Sequence, residues 1–253
     1  MLGTKHKVWS LDSMAKEIKN FGILQAVLSF LLMPCGFLIW GLVAIPGLWM
    51  FQEASTLDEG WFRLFAQGAA VGMGLMFWCL LDLLVLGILG MLLRPRKAAA
   101  IAPTQSWLAI RWGFMALLHR LALPSLKWMV PSFIGDTYYR MVGTKIGRGA
   151  QLNSSMINDA YMVEIGAKTV IGGDASINAH LFENNGIHLS PVRIGANCVV
   201  GTRSQINPGC IINDGAVIAS KAVLAKHTEV PAGEIWGGIP ARCIFRADGS
   251  RPD

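Results

Sequence analysis

Two periodicities divide the chain. From Phe21 to Phe51 no charged side chain occurs, and from Ala66 to Leu93 Asp82 is the sole charged residue. Each run exceeds the roughly 20 apolar residues that a hydrocarbon core requires, so the pattern predicts two transmembrane helices. The first run is longer than one span needs and carries Pro34 and Pro46, which predicts tilt or a kink. It is also too long for the apolar region of a cleavable signal, and a mixed polar and basic segment precedes it, so no cleavable signal is expected. From Ser106 to Phe133 the chain is again apolar, but Arg111, His119, Arg120 and Lys127 are spread along it and Pro124 and Pro131 interrupt it. Arg111 and Arg120 are nine residues apart and so half a turn apart on a helix, which spoils a single polar stripe. Short broken helices at the membrane interface are expected there.

After residue 145 the period becomes six. Counting from Ile194, the stops are Val200, Ile206, Ile212, Ile218, Leu224, Val230 and Trp236, all apolar. A second run is Ile165, Ile171 and Ile177, and a third begins with Ile146 and Leu152. Gly147, Gly166, Gly172, Gly195, Gly201, Ala219 and Ala225 follow such stops. Three short strands per coil, each turning one aliphatic side chain inward and joined by tight corners, explain the pattern. The fold class expected is a membrane α-helical hairpin plus an all-β left-handed parallel β-helix of hexapeptide repeats. The expected boundaries are 1–100 for the N-terminal segment and hairpin, 101–140 for an interfacial helical linker, 141–241 for the β-helix and 242–253 for a tail.

The repeat breaks twice. Leu152 to Ile165 is thirteen residues, one more than two hexads, which predicts a bulge. Ile177 to Ile194 is seventeen and contains Ala179-His180-Leu181-Phe182-Glu183-Asn184-Asn185-Gly186-Ile187-His188, a loop leaving a rigid coil, where function is usually carried.

Composition fits this division. With 53% hydrophobic and 15% charged residues and a mean hydropathy of +0.46, part of the chain belongs in lipid. Lys5, Lys7, Lys16 and Lys19 precede the first span and Arg94, Arg96 and Lys97 follow the second, whereas the connecting loop has Glu53, Asp58 and Glu59 against Arg63. Both ends are therefore expected in the cytoplasm, in a cytoplasmic (inner) membrane protein, with Trp49 and Trp61 at the interface. Gly68 and Gly72 form a small-x-x-x-small pair for close helix approach, in the hairpin or between protomers. Asp82 at mid-span is either functional or a hydrogen-bonded packing residue. The net charge of +6 suits an anionic partner, but no basic stripe interleaves with aromatics, so nucleic acid is not expected. Cys35, Cys79, Cys198, Cys210 and Cys243 are odd in number and lack C-x-x-C spacing, which indicates a reducing compartment and core positions.

The hexads resemble those of hexapeptide-repeat acyltransferases, enzymes that use a thioester donor, commonly acetyl-CoA, and assemble as trimers with active sites between neighbouring coils. Residues 107 to 241 are similar, more specifically, to the membrane-bound terminal domains of nonribosomal peptide synthetases such as polylysine synthetase. That likeness rests on His180-Leu181-Phe182-Glu183, on Tyr138 to Gly149 and on Val230-Pro231-Ala232-Gly233-Glu234-Ile235-Trp236-Gly237-Gly238-Ile239-Pro240-Ala241. The resemblance implies acyl transfer to an amine or hydroxyl, from acetyl-CoA or another acyl-CoA, or from phosphopantetheine on a separate carrier protein. It implies a homotrimer on the lipid bilayer, with a carrier protein or biosynthetic synthetase as partner.

His180 is the candidate general base, imidazole being suited to proton transfer near neutrality. Glu183 or Asp174 is expected to orient its ring, and Asn184 or a backbone N–H to meet the oxyanion. Ser220, Ala225, Lys226, Trp236, Gly238 and Arg242 are the donor-side candidates by position. No metal is expected, because the spacing of His180, His188 and His227 is too sparse for a zinc triad. A catalytically inactive trimeric membrane scaffold is the alternative of another class.

Overall fold

The computed structural model describes residues 16–95, 97–184 and 186–252; Lys5, Lys7, Arg96 and Asn185 lie outside the described residues. Helix α1 (Phe21–Ser55) runs unbroken through Pro34 and Pro46, and α2 (Trp61–Leu93) packs beside it. Both are long and apolar enough to cross a membrane, and they expose large side chains such as Phe30 and Phe65. The small pair that lets them approach is Gly47 and Gly74. A Cβ on Gly47 would lie 2.7 Å from the Gly74 Cα, whereas one on Gly68 or Gly72 would meet nothing within 4 Å. The pair expected from spacing therefore does not serve the hairpin. Between the helices the Trp78 indole N–H also donates to the Trp40 carbonyl at 3.1 Å.

Helix α3 (Trp107–Met129) starts where the Ser106 Oγ accepts from the Ala109 N–H, and α4 (Phe133–Val142) ends at Gly143 with φ +116°. One 23-residue helix thus replaces the broken helices expected, and Pro124 lies inside it. A proline in a helix interior costs about 3 kcal/mol or more. Packing offsets it here: Ala122, Ser125 and Leu126 are fully buried, and the Ser125 hydroxyl donates to Asp82 Oδ2 at 2.5 Å. Asp82 is accordingly a buried contact between α2 and α3.

The hexads wind into a left-handed parallel β-helix with three faces. Ile146, Ile165, Ile194, Ile212 and Val230 stack in register on one. Leu152, Ile171, Val200, Ile218 and Trp236 stack on the second, and Ile177, Ile206 and Leu224 on the third. All but the half-buried Trp236 point into the core. Corner glycines are dictated by coil stacking, since a Cβ on Gly201 would lie 2.4 Å from the Ser220 backbone nitrogen. Cys198 and Cys210 are buried, with their thiols donating to the carbonyls of Asn213 and Ala225. Burial pushes the Cys210 thiol up to about 11, which suits packing and not nucleophilic attack.

Two antiparallel sheets adjoin the β-helix, one between its second and third coils and one at its C-terminal end. The strand Ala100–Pro103 joins the hairpin of His180–Glu183 and Gly186–Leu189 in a three-stranded sheet. The strand Ala241–Phe245 folds back on Ile235–Gly238, so the segment read as a tail from 242 begins in a strand.

Candidate active site

The two interruptions of the repeat meet. In the first, Ile157 bridges to Ile177 and so fills the third face; the surplus residues that follow form a 3-10 turn, Ala160–Met162, whose N-cap is Asp159. In the second, the chain leaves the next coil after Ala179 as the hairpin that begins with His180. Both excursions leave the same corner in successive coils, which sets Asp159 Oδ2 2.6 Å from His180 Nδ1. The carboxylate is only 2% exposed, a costly burial unless its oxygens meet donors. They do: Oδ2 also accepts from the Ala179 N–H at 2.8 Å, and Oδ1 from the Trp112 indole N–H at 2.9 Å.

With Nδ1 turned to a carboxylate, that nitrogen carries the proton and Nε2 is left with its lone pair. The imidazole is partly exposed and sits between aromatic neighbours, its centroid 4.5 Å from that of Trp112 and 6.1 Å from that of Phe182. Chemically, an imidazole oriented in this way by an acid has the geometry a general base requires. His119, by contrast, is buried beneath Tyr138 and Tyr139, and burial pushes it down to about 4. It is neutral and outside the dyad.

The carboxylates expected to orient His180 are elsewhere. Asp174 is exposed at a corner with φ +56° and faces Arg203 at 3.5 Å. Glu183 lies three residues along the strand, hence on its opposite side, and pairs with Lys226. Asn184 occupies the exposed hairpin turn with φ +48°, four residues beyond His180.

The donor-side candidates do not form one cluster. Ala225 and Lys226 follow Leu224 and so share the corner of His180, which follows Ile177, two coils on. Ser220 follows Ile218 and Gly238 follows Trp236, both at the neighbouring corner. Trp236 lies on the second face and donates its indole N–H to Glu234, while Arg242 is on the returning strand.

Asp159 and Trp112 were missed by sequence reasoning. The thirteen-residue interval was the available signal for Asp159, because it holds that acid inside a break in the register. No comparable signal marks Trp112, whose approach depends on how α3 docks.

A family model described as bacterial transferase hexapeptide (six repeats) matches residues 191–226, coils whose inward stops the structure stacks in register. The β-helix is a hexapeptide-repeat domain. Among relatives, the chain is 25% identical over 190 residues to the delta-poly-L-ornithine synthetase of Acinetobacter baumannii, a match covering 74% of this chain and 14% of that protein. It is 31% identical over 107 residues to the galactoside O-acetyltransferase of Escherichia coli, covering 39% of this chain and 52% of the relative. A solved hexapeptide-repeat acetyltransferase from Vibrio cholerae is similar at 16% identity with a TM-score of 0.46, covering 54% of this chain and 92% of that one. The chain thus spans from one seventh to about half of the length of these curated relatives.

Proposed function

We propose that this chain is an acyltransferase held in the cytoplasmic membrane by α1 and α2, with residues 141–241 as its catalytic unit. The carrying observation is the His180–Asp159 pair at 2.6 Å, formed where both repeat interruptions meet. The activities named for the matched relatives, acetyl transfer among them, support the same reading. His180 Nε2 takes the proton from an acceptor amine or hydroxyl as that atom attacks the thioester carbonyl. A bond to the acyl carbon forms, the C–S bond breaks, and the imidazolium returns the proton to the departing thiolate. Asp159 keeps the ring in the competent tautomer and balances the transient charge. The donor is an acyl-CoA. Its arm is assigned to the later coils, where Ser220 and Gly238 on one corner and Ala225 on the next leave little side-chain bulk. Because these corners are separated by a full face in one chain, a homotrimer in which a neighbour closes the site is part of the proposal. The basic flanks of the two apolar runs support cytoplasmic placement of both ends.

The test is His180→Ala in the full chain. A loss of at least ~100-fold in acyl transfer, with fold and assembly retained, is expected for removal of a general base. A folded variant with unchanged activity would leave the chain a membrane scaffold.

A second reading, amino-acyl transfer from a carrier protein to form an amide, is favoured by the 190-residue similarity to a poly-ornithine synthetase. Amide product with a carrier-loaded amino acid and none with acetyl-CoA assigns that reaction instead.

A further inference from the structure

A cleft of about 1270 Å³ lies beside the Trp112 and Phe182 rings that pack on His180, bounded by nearly the first four turns of α1, the end of α2 and the first four turns of α3. Its walls are mostly apolar, with Leu28 and Leu32 on one side and Ala116 and Leu117 on the other. Among the described residues Arg111 and Arg120 are the ionisable groups that line it, and no carboxylate does. Although half a turn apart on α3, both border the cleft, because it wraps around the exposed side of that helix. Neither guanidinium is in an ion pair among the described residues.

Trp112 and Phe182, whose ring centroids are 5.2 Å apart, are part of its lining. Trp112 is the residue that donates to Asp159 and packs on His180. The cleft is therefore lined by two side chains that pack on the imidazole, and a molecule lying in it reaches the rings next to His180. The segments around it, the start of α1 and the end of α2, are the membrane-boundary ends of both apolar helices. An apolar cleft at that depth takes a hydrocarbon chain from the adjoining leaflet. Two guanidiniums in it call for a phosphate, which arginine meets with paired charge-assisted hydrogen bonds. The hydrocarbon of a fatty acyl donor has no charge along its length and would leave both unmet.

We propose that this cleft binds the acceptor, and that the acceptor is an amphiphile of the cytoplasmic leaflet with an apolar chain and a phosphate headgroup, its amine or hydroxyl held at His180. This assignment rests on the acyltransferase reading above. One of the two guanidiniums meets the phosphate, since nine residues of helix set them about 13.5 Å apart along the axis and on opposite sides, and the face of α3 around Gly113 receives the chain.

The test uses the full chain in phosphatidylcholine nanodiscs, with terminally brominated dodecyl phosphate and the matching brominated dodecanol as probes that quench Trp107 and Trp112 on contact. Both probes partition into the bilayer and quench the protein's exposed tryptophans without saturating; a saturable component with the phosphate and not with the alcohol is expected. One of Arg111→Gln and Arg120→Gln should weaken it about tenfold or more, as loss of a charged hydrogen bond does, and the other should not. Gly113→Leu is the narrowing variant: a Cβ there meets nothing within 4 Å, and leucine favours the helix over glycine, so the protein folds while the side chain narrows the cleft beside Trp112 and weakens the quenching. Equal saturable quenching by both probes, quenching that Gly113→Leu leaves unaltered, or unaltered binding in both arginine variants overturns the proposal. So does Gly113-sensitive quenching by a brominated lauroyl-CoA with none by the phosphate, which would make the cleft a donor-chain site. If the cleft variants bind normally while His180→Ala is inactive, the acceptor assignment fails and the catalytic reading stands. If the phosphate binds as expected while His180→Ala stays active, the catalytic reading fails.

Discussion

A carboxylate sealed from solvent must find donors, and at Asp159 the two oxygens are met by an indole from α3 and by a backbone amide and an imidazole from the adjacent Ala179 and His180. That convergence fixes the ring of His180 to one tautomer, so the acid acts through the histidine. Asp159→Asn keeps the shape but exchanges a charged acceptor for an amide that no longer compels Nδ1 to hold the proton. We expect kcat to fall by about 10²-fold or more, within the span attributed to a positioned base, while KM changes little. Trp112→Phe removes one of three donors and should lower kcat less. Steady-state kinetics with saturating donor separates the two quantities, and an Asp159→Asn enzyme with unaltered kcat would leave the pair a structural contact.

At the scale of elements, the glycines of the hairpin differ in what they touch. A side chain at Gly47 would collide with the Gly74 backbone, which cannot rotate away, so Gly47→Leu forces α1 and α2 apart; Gly68→Leu meets open space. Overpacking of this kind costs roughly 1–3 kcal/mol. Thermal denaturation in detergent should show a lower midpoint for Gly47→Leu and little change for Gly68→Leu. The contrast also marks what a linear pattern conveys. The coils were legible because every sixth residue must be aliphatic to fill a three-faced core, and that constraint acts on neighbours in sequence. Which small residues meet across the hairpin depends on the crossing geometry of two helices, and Gly47 and Gly74 carry no local sign of it. The site was half legible for the same reason. His180 stands in a seventeen-residue interval that cannot be mistaken for repeat. Asp159 is hidden in an interval of thirteen that splits as five to Ile157 and eight to Ile165, a division that appears only once the third face is seen to need Ile157.

At the scale of the whole molecule, the apolar hairpin must be held to the coils if a leaflet cleft is to serve a site at a β-helix corner. Two contacts do this near the end of α2. Gly87 and Gly90 admit Met141 and Val142 of α4, since a Cβ on Gly90 would lie 2.6 Å from Val142 Cγ1. Beside them, Glu164 on the first face gathers Lys97 at 2.7 Å from beyond α2, Lys145 at 2.9 Å and Arg193 at 3.7 Å. Hydrogen bonds from Lys97 and Lys145 hold its carboxyl down at about 2, from an ordinary 4.5. A carboxyl with a folded value below its unfolded one contributes stability that is complete above about 4.5 and is lost as pH falls through about 2. Glu164→Gln should therefore lower the denaturation midpoint at neutral pH, with the gap to the unsubstituted protein narrowing below pH 4.5 and closing near pH 2. Midpoints measured across that range check the sign: a gap independent of pH would mean that the glutamate acts by shape, and that the cations around it do not clamp the hairpin to the coils.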